Sequence, residues 1–404
     1  MNENILDALD PKALGSRLQE ARKSRNIKQQ DIADHMGMAR TTIVAIEKGE
    51  RRLSPSELIK LASFYGRAVS EFVNRHTVVE DFVPQFRAVW RDDFEEWGDL
   101  ERVTFELQQL SENYVELERL CGMSTSRTYP SQYSTSDILP DQAGEEIATA
   151  ERNRLGIGDG PISNLRERLD TDVGLRVFYF EMPSHISGLF VYNEPLGGCI
   201  GININHPRDR RNWSLAHEFG HFLTNRYQPE VTFLYEKRRS SFKERLADSF
   251  AKHFLMPASG LNRRFSETHR ASESGITLAH ICTLADLYQV SVQAMVLRLE
   301  ELRRLQSGTW AQLEIQGVEM HRAQQILGID VNPPIDRLPR RYQQLAVMAY
   351  EKEMLSEGQL AKMLRTDRVS ARILVETMSQ RFNTQREGSY EDIELNLAMP
   401  LSGK

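Results

Sequence analysis

The chain has 404 residues, 40% of them hydrophobic and 27% charged, with a formal net charge of −6 at pH 7. These values describe a soluble globular protein of roughly two to four domains and exclude a chain-wide basic footprint, so any nucleic-acid signal must be local. Cys121, Cys199 and Cys282 stand singly, which argues against a disulfide framework or a cysteine zinc site.

The cysteines read as reduced thiols, and the expected compartment is the cytoplasm. The start, Met1-Asn2-Glu3-Asn4, lacks the pattern of a signal peptide. No apolar run reaches the length of about eighteen residues that a membrane span needs.

The first unit is helical. Leu14, Leu18 and Ala21 share one helix face, and Gln29–Met36 forms a second helix stopped by Gly37. Arg40–Glu47 forms a third, and Ser54-Pro55-Ser56-Glu57 opens another with a capping-box pattern. That order places a helix-turn-helix at the centre. Residues 1–75 carry thirteen Lys/Arg against ten Asp/Glu, a mildly basic unit in an acidic chain. A helical protein-interaction domain is the plainer alternative.

From Leu14 to Phe72 the sequence resembles the XRE family (Cro/C1-type helix-turn-helix). The resemblance implies a recognition helix over Arg40–Glu47, with Arg40, Thr41 and Thr42 entering the major groove of an operator. It also implies that Gln29 contacts the DNA backbone. Such modules bind operators as dimers, so a homodimer is expected. Ala39 departs from the pattern, standing where a serine or threonine cap is usual, at a cost of about 1 kcal/mol.

Leu100, Val103, Leu107, Leu110, Tyr114, Leu117 and Cys121 alternate in steps of three and four. That a/d seam serves either a dimerising helix pair or a long helix lying on its own domain. Ser124–Gln142 reads as a linker, and a helix resumes over Ala143–Arg154. Arg176–Phe180, Gly188–Tyr192 and Gly198–Asn205 read as strands. The third is an ordinary core strand, a candidate for pairing with an extended peptide, or both. Arg208, Arg210 and Arg211 read first as a solvated basic loop.

Trp213–Leu223 contains His-Glu-Phe-Gly-His among apolar residues. On a helix, His217 and His221 stand one turn apart on one face, half of a tetrahedral zinc site. Glu218 is then placed to act as general base on a water. Phe242–Leu255 has helical period and ends at Pro257, with Glu244 and Asp248 one turn apart beside the apolar stripe. A carboxylate from this second helix completes a two-His-one-Glu site, and Asp248 can then fix a ligand histidine's tautomer. His253 lies half a revolution from Glu244 and is no obvious ligand. His185, His206, Tyr192 and Tyr227 remain open candidates for stabilising a tetrahedral intermediate.

These two motifs resemble the ImmA/IrrE family of zinc metallopeptidases. The resemblance implies His217, His221 and Glu244 as Zn2+ ligands and Glu218 as the catalytic acid/base. It also implies a protein or peptide substrate, such as a Cro-like repressor. Two alternatives stand beside an active peptidase: a regulator whose zinc domain only senses a ligand, and an antitoxin that binds a toxin through its C-terminal helices.

Ile276–Leu305 continues as helix, and Gly308, Gly317 and Pro333-Pro334 punctuate the stretch beyond it. Leu355–Leu364 followed by Val369–Arg372 has a faint helix-turn-helix spacing and reads first as structural packing. The expected fold is α+β and mostly helical, with an N-terminal all-α helix-turn-helix domain and a helical C-terminal region. Between them lies a central zincin-like domain with a small sheet and the His-Glu-x-x-His helix. The expected divisions are 1–76 for the DNA-binding domain, 77–142 for a connecting helix and linker, 143–306 for the peptidase domain and 307–404 for the C-terminal helices.

Overall fold

The computed structural model describes residues 11–23, 27–65, 69, 72, 81–89, 97–123, 127, 129–135, 138–233, 241–273, 275–330 and 333–382. The chain divides into two compact units, 1–80 and 81–404.

In the first unit, α1 (Pro11–Lys23), α2 (Gln29–Met36), α3 (Arg40–Glu47) and α4 (Pro55–Phe64) enclose one core that includes Leu18, Ile32, Ile43, Leu58 and Leu61. Gly37 takes φ +65°, and its N–H caps α2, a conformation that favours glycine. Ala39 caps α3 with extended backbone and no side-chain bond. Ser54 and Glu57 form the capping box that opens α4. Gly15 permits a close crossing of α1 and α3, since a Cβ there would lie 2.5 Å from the Ile46 carbonyl. Glu47 is buried and ties three helices together. It accepts from Arg22 Nε at 2.7 Å and from Gln29 Nε2 at 2.9 Å.

The second unit is α+β. Its helices before the sheet are α5 (Phe82–Val89), α6 (Trp97–Cys121), α7 (Pro140–Arg154) and α8 (Leu165–Arg168), the last running into a π turn over Leu169–Val173. The strands are β1 (Arg176–Phe180), β2 (Ile186–Asn193), β3 (Gly197–Asn203) and β4 (Glu230–Phe233), in the order β1-β3-β2-β4. β1 runs parallel to β3, and β2 runs antiparallel to both β3 and β4. Helix α9 (Arg208–Asn225) crosses from β3 to β4, and α10 (Phe242–Leu255) follows β4. Phe219, Phe222, Phe250 and Phe254 join α9 and α10 in the main core. Gly144 on α7 lets α10 approach, because a Cβ there would lie 2.6 Å from Ser249 Cβ.

The remaining helices are α11 (Ala258–Ala271), α12 (Leu278–Tyr288), α13 (Val292–Glu301), α14 (Thr309–Ile315), α15 (Met320–Ile326), α16 (Arg340–Glu351), α17 (Glu357–Met363) and α18 (Arg368–Phe382).

Several expectations are decided or changed. Of the two uses open to the a/d seam of α6, the structure has the helix lying on its own domain, because Leu100, Leu107, Tyr114 and Leu117 are buried within their own unit. Tyr114 packs edge-on to Tyr342 of α16 and donates to buried Asp170 at 2.8 Å. Glu118 pairs with Arg176 of β1 at 2.8 Å and with Arg341 of α16 at 2.6 Å. The stretch expected as a linker is docked: the Tyr133 N–H donates to the Leu223 carbonyl, and Tyr129 packs on Phe222. Helix α7 also begins three residues early, with Pro140 in its first turn, where proline costs no hydrogen bond. Finally, β3 is paired on both sides and offers no edge to a peptide.

Candidate metal centre

Helix α9 lies buried against the sheet, so its polar side chains need partners there. His217, Glu218 and His221 are each no more than 3% exposed. His217 and His221 project from successive turns, and their Nε2 atoms are 3.0 Å apart. Ser241 caps α10 by accepting from the Glu244 N–H, which fixes Glu244 in the first turn facing α9. Glu244 Oε2 lies 3.4 Å from His217 Nε2, and its Oε1 lies 3.3 Å from His221 Nε2. One ligand atom from each of the three residues fits within a 4.8 Å cluster. One turn on, Asp248 Oδ1 accepts from His217 Nδ1 at 3.0 Å. That bond selects the tautomer whose Nε2 lone pair faces the centre.

The donor set fits a zinc ion. Two imidazole nitrogens this close, each presenting a lone pair, repel one another unless a cation or proton lies between them. Two nitrogens and a carboxylate oxygen are a known zinc donor set that leaves one position open.

Electrostatics follow the geometry. Burial works against the His217 imidazolium, but Asp248 and Glu244 outweigh it and raise its pKa to about 10. Burial pushes Glu244 upward, yet its bonds to the two histidines bring it well below the usual carboxylate range. Burial dominates at Glu218, whose pKa rises to about 7 against the pull of His217 and Thr232. Both carboxylate oxygens of Glu218 are buried without a partner in hydrogen-bond geometry.

Two residues that the sequence reading did not single out shape this pocket. Gly188 leaves room for the carboxylate, since a Cβ there would lie 3.0 Å from Glu218 Oε1. Thr232 pairs with Gly188 across β2 and β4. A glycine inside a strand is the signal that could have pointed to such an approach. A cavity of about 540 Å³ opens beside them, lined by His217, Thr232, Asp248, Trp213, Leu297 and Arg298 among others.

The other candidates are engaged elsewhere. His206 faces the Ser184 carbonyl at 2.8 Å, and His185 stacks on Phe233. Tyr192 and Tyr227 pack edge-on against each other at 5.4 Å. Arg211 is not a solvated loop residue. It is buried and donates to the Ile204 and His206 carbonyls. His253 contacts Ser249 at 3.4 Å and stands outside the cluster.

In the first unit, Arg40 and Thr41 are exposed at the start of α3, and Thr42 is half-buried. Gln29 stands at the first position of α2, with its amide donated to Glu47.

Known proteins bear on both units. The IrrE N-terminal-like domain of peptidase family M78 matches residues 170–300, and the helix-turn-helix family matches residues 18–72. The cryptic phage CTXphi transcriptional repressor RstR of Vibrio cholerae is 32% identical over 59 residues, 15% of this chain. The match spans about half, 53%, of that repressor's length. The crystal structure of ComR from Streptococcus suis aligns at 9% identity over 93% of this chain and 95% of that one, with a TM-score of 0.16. That score is too low to bear on the fold. Among the described residues, no helix is long and apolar enough to cross a membrane.

Proposed function

We propose, for a chain that joins a helix-turn-helix domain to an IrrE N-terminal-like peptidase domain, that it is a DNA-binding transcriptional regulator that hydrolyses a peptide bond. The observation that carries this reading is the buried, unbonded Glu218 carboxylate beside the converging His217, His221 and Glu244. Zinc, when bound by those three residues, supplies Lewis acidity toward a water and a peptide carbonyl.

The chain's own groups do the rest. Glu218 takes the proton of the attacking water and hands it to the leaving amine. Burial raises its pKa to about 7 in the metal-free protein, which favours proton uptake by this carboxylate. Asp248 orients His217. β4 is the sheet-edge strand beside Glu218, and the other edge strand, β1, is met by the Arg337 carbonyl at Tyr179 N–H. An extended substrate segment adding to β4 is held by its backbone, with a side chain over the cavity. Arg40, Thr41 and Thr42 read the operator, Gln29 helps to set register on the backbone, and the protein binds as a homodimer. The substrate is a Cro-like repressor; the matched phage protein is by name a transcriptional repressor.

The test compares wild type with Glu218→Gln on a purified Cro-like repressor. Zinc content and operator affinity should be unchanged while cleavage falls to background. Persistent cleavage by the variant sinks the mechanism.

A further inference from the structure

The last three helices repeat the first three. Lys12 and Arg340, Gln29 and Glu357, and Arg40 and Arg368 are each separated by 328 positions, and each pair stands at or next to the start of its helix. Lys23 and Glu351 end α1 and α16 at the same separation. The buried positions coincide, with Leu18, Ala21 and Ile32 answered by Ala346, Ala349 and Leu360. So does the turn. Gly37 at φ +65° is answered by Arg365 at φ +54°. Met38 N–H donates to Ala33 O as Thr366 N–H donates to Ala361 O.

We propose that α16, α17 and α18 form a second helix-turn-helix, with α18 as a second recognition helix for double-stranded DNA. Charge favours that partner. Lys362, Arg365, Arg368 and Arg372 are all exposed around the turn and the start of α18, and Arg368 and Arg372 stand one turn apart on that helix. Arg372 also pairs with Glu357, and Arg365 reaches Gln109. Neither contact buries its guanidinium, so both remain open to phosphate. Asp367 accepts from the N–H groups of Val369 and Ser370. Its carboxylate is thus used as the cap that Ala39 fails to supply for α3. Val369, 63% exposed at the position matching Thr41, presents an apolar surface of the kind that meets a thymine methyl.

The test uses the full chain, labelled random-sequence duplex DNA and fluorescence anisotropy across a salt series. Arg40→Glu with Thr41→Glu disables the first reader and should leave salt-sensitive duplex binding. Adding Arg368→Glu and Arg372→Glu should lower affinity about tenfold or more and reduce the salt slope by about 2. Arg368→Lys with Arg372→Lys should keep the slope, which separates lost charge from a lost fold. The proposal is overturned if the first-reader variant binds no duplex, or if the Arg-to-Glu pair leaves the slope unchanged. It is also overturned if Val369→Glu with Ile373→Glu abolishes a self-association seen by sedimentation while the DNA slope stays constant, since α18 would then be a protein-docking helix.

Discussion

Helices α9 and α3 both carry the residues on which function rests, and they stand in opposite surroundings. In α9 the functional groups His217, Glu218 and His221 are buried, and the two histidines are met by Glu244 and Asp248 of α10. In α3 the groups at its start face solvent, and what is buried is the support beneath them, Ile43, Ile46 and Glu47. A buried site is therefore fixed by its own polar contacts, and an exposed one by the core that carries it. Changes to the polar groups around α9 should therefore disturb the site they build, whereas changes to Arg40, Thr41 or Thr42 should leave the fold around α3 intact.

The largest effect tests the first half of that contrast. Glu244→Ala removes a ligand and leaves two histidines facing each other. Zinc per chain, measured by atomic emission, should fall from near one to near zero. The loss in affinity should exceed the ~10–100-fold that a second partner such as Asp248 supplies. Retention of stoichiometric zinc would show that Glu244 is not a ligand.

Glu47→Gln should destabilise the first unit by about 3 kcal/mol, because it leaves the Arg22 guanidinium without its carboxylate. The same residue predicts a pH dependence. Burial pushes the Glu47 carboxyl up, but Arg22, Gln29 and Gln19 hold it below the usual carboxylate range. The folded value thus lies below the unfolded one. The stabilisation is complete above an unfolded pKa of about 4.3 and is lost as pH falls through the depressed folded value. Denaturant melts from pH 7 to pH 3 should show that acid loss in wild type and a flatter profile in Glu47→Gln.

Asp248→Asn should weaken zinc binding by ~10–100-fold while the unit stays folded. A chelator competition assay reads this directly, and unchanged affinity would make the Asp248 contact incidental. The smallest change sharpens the other side. Ala39→Ser should add a side-chain cap to α3 and stabilise the first unit by about 1 kcal/mol, seen as a higher melting temperature.

How much of this was legible in the sequence depends on distance along the chain. The spacing of His217 and His221, the turn between Glu244 and Asp248, the Gly37 stop and the Ser54 cap are local. Helical geometry alone relates such residues, so the sequence carries them openly. The sheet order was not legible, because strand neighbours are chosen by contacts between distant segments. From its residues β3 is equally a core strand or a candidate for peptide pairing, and the fold places it at the centre of the sheet. The α6 seam had the period of a dimer interface, but period records only that one face is buried, not against what. Gly188 and Thr232 lie 30 and 14 positions from Glu218 and reach it only through the sheet.

The Glu118 contacts have a consequence for modularity. Arg176 begins β1 and is almost wholly buried, and its carboxylate partner comes from α6, which Arg341 of α16 also holds. The matched stretch 170–300 contains neither partner helix, nor α7, which packs on α10. A polypeptide trimmed to that stretch would lose the carboxylate that pairs with Arg176 and bare one side of the helix that carries Glu244. The matched region is thus not a transplantable cassette. Any ancestral or engineered transfer that kept it folded had to carry the flanking helices along.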